Sequence, residues 1–212
     1  MLAEGIVKRL SIYRQLLAGV EPRVGMNVFS HELAAMIGVT AAQVRRDLMT
    51  IGYTGNPRRG YDVAGLVEMI GRHLDTPGGQ AVVLAGLGNL GQAILAYFNG
   101  RRQGLSIVAA FDRDPVKVNR VIHGCRCYPM EKLQEVSKGS GAEVGIVAVP
   151  ADAAQQVASQ LVRAGVRGML NLSPTRLQVP EYIYVEDLDI AVSLEKIAFF
   201  SRQHASEKEY VQ

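Results

Sequence analysis

The run Gly86-Leu87-Gly88-Asn89-Leu90-Gly91 lies directly after the apolar residues Ala81–Ala85 and directly before a helical pattern. Glycines at this spacing, in a turn between a strand and a helix, suit a dinucleotide. Gly86 would make the tight turn, Gly88 would let the backbone approach a pyrophosphate, and Gly91 would permit close helix–strand packing. The pyrophosphate would rest on the unpaired N–H groups of the new helix. The next apolar run, Leu105–Phe111, ends in Asp112, 21 positions beyond Gly91. A carboxylate there can accept hydrogen bonds from the adenine-ribose hydroxyls and would repel a 2′-phosphate, which favours NAD(H) over NADP(H). Arg113 and Lys117 lie close enough to soften that preference.

A second chemistry sits near the N-terminus. Thr40-Ala41-Ala42-Gln43 has the form of a capping box, with the threonine oxygen and the glutamine amide satisfying each other's backbone donors. On the helix it opens, Val44, Leu48 and Ile51 share an inward face, while Gln43, Arg46 and Thr50 share the opposite face with Arg45 beside them. A short helix of this kind, two residues after another helix, has the form of a recognition helix in a major groove. Arg can pair bidentately with guanine and Gln with adenine. Arg58-Arg59-Gly60, at the tip of a Gly- and Pro-rich loop, suits a wing that reaches phosphates or a minor groove. An ordinary helical dimerisation domain is the alternative for this region.

These residues need two kinds of scaffold. Residues 1–76 read as a helical domain: Ile6, Leu10, Tyr13 and Leu17 form one stripe, Ser30 can cap a second helix that ends at Gly38, and Asp62 can cap a fourth that carries Leu66, Met69, Ile70 and Leu74. Asp75-Thr76-Pro77-Gly78-Gly79 is the clearest break in the chain. Beyond it, apolar runs at Ala81–Ala85, Leu105–Phe111, Val144–Val149, Gly168–Leu172 and Tyr182–Val185 alternate with helical stretches, notably Leu90–Phe98 and Ala153–Ala164. This pattern predicts a parallel sheet covered by helices. The boundaries are then 1–76, 80–186, an amphipathic terminal helix over 187–204, and a solvated tail over 205–212.

Composition supports this reading. Of 212 residues, 48% are apolar and 20% charged, as in a globular chain. No apolar run is long enough to span a membrane, and the N-terminus lacks a signal-peptide core. Two cysteines, Cys125 and Cys127, exclude a disulfide framework and fit a reducing cytoplasm. They read as structural thiols rather than a redox switch or half a metal site, which would need further ligands, and only His123 is nearby. Residues 1–60 hold eight basic against four acidic side chains, and the rest of the chain 15 against 16. The positive excess thus lies where a polyanion would bind.

At this point the chain resembles the Rex family of bacterial redox-sensing transcriptional repressors over about residues 3–203. The matching stretches are Lys8-Arg9-Leu10 with Tyr13-Arg14, Gly38 through Leu48 (including Gln-Val-Arg-Arg-Asp-Leu), Gly60-Tyr61-Asp62-Val63, Gly86–Gly91, Ala109-Ala110-Phe111-Asp112, Val149-Pro150-Ala151 and Asn171-Leu172-Ser173-Pro174. The resemblance implies an α/β homodimer: an N-terminal winged-helix DNA-binding domain, a Rossmann NAD(P)-binding domain and a C-terminal helix swapped onto the partner. It implies binding to an inverted-repeat operator, release when NADH binds, and competition by NAD+ without comparable release. Carried onto this chain, Tyr97 resembles the tyrosine near the nicotinamide, and Val149, Pro150 and Asn171 would line that end of the site. Arg14 and Asp189 resemble an inter-subunit switch pair. The wing, Asn56-Pro57-Arg58-Arg59-Gly60, is slightly shortened relative to the family pattern, and His123 through Cys127 depart from its small or apolar residues.

Two rival classes remain on the sequence. A small NAD-dependent dehydrogenase would need a general acid or base facing the nicotinamide; only His123 and Lys117 lie near the relevant loops, and neither has an evident partner. A CoA-binding module is the other, because Val149-Pro150-Ala151 through Gly168 also resembles nucleotide domains of acyl-CoA synthetases, although Asp112 argues against it.

Overall fold

Apolar spacing and capping explain the first helices directly. The computed structural model describes residues 2–19, 25–98 and 104–209, with side chains through 203. The chain divides into two compact units, Met1–Pro77 and Gly78–Gln212. In the first, α1 (Glu4–Ala18) buries Leu10, Tyr13 and Leu17. After β1 (Asn27–Val28), α2 (Ser30–Ile37) runs to Gly38, whose left-handed backbone (φ 71°) ends it. Next come α3 (Ala41–Thr50), β2 (Tyr61–Asp62) and α4 (Val63–Leu74). The Asp62 carboxylate accepts from the Gly65 amide at 2.7 Å and so caps α4. Leu33, Val44, Leu48, Leu66 and Ile70 complete one core with the α1 residues.

Two local expectations need correction. Phe29, rather than Ser30, occupies the N-cap of α2, and the Glu32 carboxylate accepts the Phe29 N–H at 2.6 Å. The capping box of α3 is only half made: Thr40 Oγ1 accepts from the Gln43 amide at 3.1 Å, but the Gln43 side chain turns elsewhere. The loop after α3 does close as a hairpin, since Asn56 and Gly60 exchange both backbone hydrogen bonds, at 2.8 and 2.7 Å. Its second arm, β2, then pairs antiparallel with β1, a strand that the sequence pattern did not announce.

The second unit is built on a seven-stranded sheet. Its strands are β3 (Gln80–Ala85), β4 (Leu105–Asp112), β5 (Val121–Ile122), β6 (Cys125–Pro129), β7 (Val144–Val147), β8 (Gly168–Asn171) and β9 (Tyr184–Asp187), in the order β5-β6-β4-β3-β7-β8-β9. All neighbours are parallel except the β5–β6 hairpin. Apart from β5 this is the doubly wound order, and strand succession reverses between β3 and β7. Both faces of β3 are covered: Val83 and Ala85 pack with Leu133 of α6 (Leu133–Gly139) and Leu161 of α7 (Ala151–Arg163). Val82 and Leu84 pack with Leu95 of α5 (Asn89–Phe98). This explains why the run is apolar without alternation.

The chain ends differently from the sequence expectation. The last strand falls at Tyr184–Asp187, and α8 spans Ile190–Glu209. The helix thus starts later than residue 187 and continues through 205–209, read above as tail; residues 210–212 lie outside the described residues. Leu188, Ile190, Val192, Leu194, Ile197 and Phe199 of this terminal segment are all at least half exposed.

Candidate nucleotide site and candidate nucleic-acid interface

The glycine turn joins β3 to α5 at the point where the strand order reverses. Gly86 has φ 98°, and a Cβ there would strike the backbone carbonyl of Ala148, just past β7. A Cβ on Gly91 would strike the carbonyl oxygen of Gly86. Both positions therefore require glycine for packing alone. Gly88 differs, because a Cβ there would meet nothing within 4 Å. It is exposed together with Asn89 and Leu90, and its bare backbone faces open space at the start of α5. A pyrophosphate could approach there, so the residues present fit a dinucleotide.

Asp112, at the end of β4, is more engaged than its spacing suggested. Its Oδ2 accepts from the Leu87 amide at 2.7 Å, its Oδ1 accepts from the Asp114 amide at 2.8 Å, and Lys117 Nζ lies 3.4 Å from Oδ2. Burial raises its carboxyl pKa, but the two amides and the Lys117 ammonium outweigh that, and the net shift is downward. Asp112 stays ionised while tying β4 to the glycine turn. The Leu87 N–H is already bonded, which leaves the amides further along the turn to meet a phosphate.

The other predicted nucleotide residues separate. Val149 stands beside Gly86, its Cγ1 3.0 Å from where a Gly86 Cβ would be, and Pro150 precedes α7 at its N-cap. Asn171 is buried at the end of β8, with Nδ2 donating to Thr175 O and Asp187 Oδ1, both at 2.7 Å, and Oδ1 accepting from the Ser173 amide at 3.1 Å. Its side chain thus shapes its own loop. Tyr97 lies near the far end of α5, about 12 Å along the axis from the glycine turn at 1.5 Å per residue; it is about half exposed and edge-on to Phe98. Cys125 and Cys127 are buried in β6, and burial pushes the Cys125 thiol up to about 11 and Cys127 upward too. Such thiols stay protonated and unreactive. Among the described residues no cluster of His, Cys, Asp and Glu could hold a metal ion.

The helical unit exposes basic residues on α3 and at the hairpin tip. Arg45, Arg46 and Thr50 are exposed on α3, and Gln43 is half-buried. Arg45 Nη1 donates to Ser30 Oγ at 3.2 Å, and Thr50 Oγ1 donates back to the Arg46 carbonyl at 2.9 Å. At the hairpin tip, Asn56 Oδ1 accepts the amides of Arg58 and Arg59, at 2.8 and 3.2 Å, which leaves both guanidinium groups exposed. Gly60 is buried, and a Cβ there would lie 2.5 Å from the Val28 carbonyl. Its role is to close the hairpin against β1 rather than to present a surface.

Sequence reasoning missed the buried carboxylate of this unit. Asp47 accepts from Arg9 Nε at 2.6 Å, Arg9 Nη2 at 2.7 Å, the Tyr13 hydroxyl at 3.0 Å and Gln43 Nε2 at 2.8 Å. Burial alone would raise its pKa, but these donors lower it, and burial together with Asp47 raises that of Tyr13. The available signal was an acid in the inward register beside Val44 and Leu48, with Arg9 and Tyr13 four apart on α1. Each predicted switch residue has partners within its own unit. Arg14 Nη1 bonds Asp75 Oδ1 at 2.5 Å, and Asp189 Oδ1 accepts the Ala191 and Val192 amides at 2.8 and 3.1 Å, capping α8.

Comparisons with known proteins cover both units. Residues 2–48 match the family model of a putative DNA-binding protein N-terminus, and residues 79–175 match that of a CoA binding domain. The redox-sensing transcriptional repressor Rex of Carboxydothermus hydrogenoformans is 39% identical over 202 residues, 95% of this chain and 97% of the relative. That of Desulfitobacterium hafniense is 36% identical over 198 residues, 93% and 94% of the two chains. Among solved structures, RSP in complex with β-NAD+ and operator DNA superposes with a TM-score of 0.87 at 28% identity, covering 99% of this chain and 96% of RSP. RSP in complex with β-NADH gives 0.84 at 27%, covering 99% and 98%. No described helix is long and apolar enough to cross a membrane. With near-complete coverage at this identity, the chain belongs to the Rex family of redox-sensing transcriptional repressors.

Proposed function

We propose that this protein is a non-enzymatic repressor that binds an inverted-repeat operator as a homodimer in the cytoplasm and leaves it when NADH is bound. The observation that carries this reading is the presence in one chain of an open glycine turn at a sheet switch point, a capped basic helix and a basic hairpin. Arg46 and Arg45 read or grip DNA from α3, with Gln43, Thr40 and Thr50 around them, and Arg58 and Arg59 reach the backbone or minor groove from the hairpin. The bound dinucleotide supplies no reaction here, only a nicotinamide whose oxidation state differs between NADH and NAD+. Gly88, Asn89 and Leu90 meet the pyrophosphate, Asp112 meets the adenine ribose through its remaining lone pairs, and Val149, Pro150 and Tyr97 bound the nicotinamide end. The apolar face of α8 packs on a second copy, where Asp189 of the partner subunit competes with Asp75 for Arg14.

Moving such a dimer from about 99:1 operator-competent to 1:99 requires a differential affinity of about 10⁴, or about 5.5 kcal/mol, shared between two sites. The rival CoA reading meets Asp112, which suits a ribose hydroxyl and opposes a 3′- or 2′-phosphate held near it. A mobility shift on an inverted-repeat operator, with NADH and NAD+ added separately, tests the function. Retardation abolished by NADH and largely kept with NAD+ is expected; release by NAD+ alone, or by neither, rejects redox sensing.

A further inference from the structure

The Asp47 cluster does more than fill the core of the helical unit. Asp47 is 1% exposed, and Arg9 and Tyr13 hold it from α1. Its Oδ1 receives one further donor, Gln43 Nε2 at 2.8 Å, from the preceding turn of α3. A carboxylate only accepts, so the amide nitrogen of Gln43 must face it. The amide oxygen is thereby turned away, and it accepts Arg46 Nη2 at 3.0 Å. A guanidinium only donates, so flipping the Gln43 amide would break both bonds at once. A one-way chain of donors and acceptors thus runs from the buried carboxylate, through a half-buried amide, to an exposed guanidinium.

We propose that Asp47 is a positioning residue for operator reading: it touches no base, yet it orients the Gln43 amide and through it the guanidinium of Arg46. This rests on the reading of α3 as the base-contacting helix. It also reassigns Gln43. With its oxygen on Arg46 and one N–H on Asp47, the amide is held as a support for the guanidinium, and Arg46 becomes the base reader that Gln43 positions.

Operators carrying single base-pair changes through one half-site test this, with affinities measured at one fixed salt concentration for wild type, Arg46→Ala, Gln43→Leu and Asp47→Asn. Arg46→Ala identifies the base pair that its guanidinium reads, as the position where discrimination is lost. At that base pair Gln43→Leu and Asp47→Asn are each expected to lower the ratio of cognate to mismatched affinity about tenfold, within the range of a bidentate contact. Gln43→Leu should add nothing once Arg46 is Ala. A residue that merely held α1 to α3 would weaken cognate and mismatched sites alike and leave the ratio unchanged. Gln43→Leu cuts the chain at a half-buried position, so it decides the matter even if Asp47→Asn does not fold. Wild-type discrimination in Gln43→Leu overturns the proposal while Arg46 remains the reader. An Arg46→Ala variant with no position-specific effect overturns the reading of α3, and this proposal with it.

Discussion

Gly88 and Gly91 share one turn but answer to different constraints. At Gly91 a Cβ would press on backbone that cannot yield, so Gly91→Ala should destabilise the nucleotide unit by about 1–3 kcal/mol or more, read as a lower Tm without ligand. At Gly88 there is room for a methyl group in the protein alone. Gly88→Ala should keep the unliganded Tm and still weaken NADH binding by about tenfold, or 1.4 kcal/mol, because the methyl group occupies the approach of the pyrophosphate. Equal NADH affinity in Gly88→Ala and wild type would remove the phosphate from this turn. The carboxylates make a prediction about acid. Asp47 and Asp112 both have lowered folded-state pKa values. Their contribution to stability is therefore complete above the ordinary carboxylate pKa of about 4 and is lost as pH falls below it. Thermal melts between about pH 5 and pH 2 should show Tm falling more steeply in wild type than in Asp112→Asn; parallel curves would mean that Asp112 carries no native-state stabilisation.

At the scale of elements, the strand–turn–helix of β3 and α5 was legible in the sequence because each part has its own local requirement: a run apolar on both faces, glycines where backbone meets backbone, and helix formers after them. The cap of α4 was legible for the same reason, since Asp62 bonds only three residues onward. What escaped notice depends on partners distant in sequence. β1 exists only because Val28 meets Tyr61. The β5–β6 hairpin turns at His123 and Gly124, both with positive φ (46° and 78°), around Cys125 and Cys127, which behave as small apolar residues. Asp47 looks like one more helix charge until Arg9 and Tyr13 arrive from α1. The terminal helix makes the element-scale prediction. Each large apolar side chain on α8 would gain about 1.5–3 kcal/mol on full burial. Ile197→Asp together with Phe200→Asp should therefore shift sedimentation from dimer to monomer; a stable dimer in that variant would place the subunit interface elsewhere.

For the whole molecule, the family relationship joins two units that each have a self-sufficient core. Redox sensing needs their ligands to oppose one another, and thermodynamics makes that opposition reciprocal: whatever factor NADH takes from operator affinity, operator must take from NADH affinity. Arg14 offers a place to perturb the balance. Its bond to Asp75 belongs to the single chain, and the proposed alternative is Asp189 of a second subunit. Asp189→Ala should leave operator affinity without ligand within about threefold of wild type while lowering the NADH-induced release, by an amount of order 1–3 kcal/mol in coupling. Unchanged coupling in Asp189→Ala would separate this pair from the switch.

The most direct measurement is the affinity of the purified dimer for NADH, with and without saturating operator DNA, at one salt concentration. NADH binding weakened in the presence of operator, by the same factor by which NADH weakens operator binding, is the predicted result. Identical NADH affinities in the two conditions would contradict it, because two ligands that ignore each other cannot make a sensor.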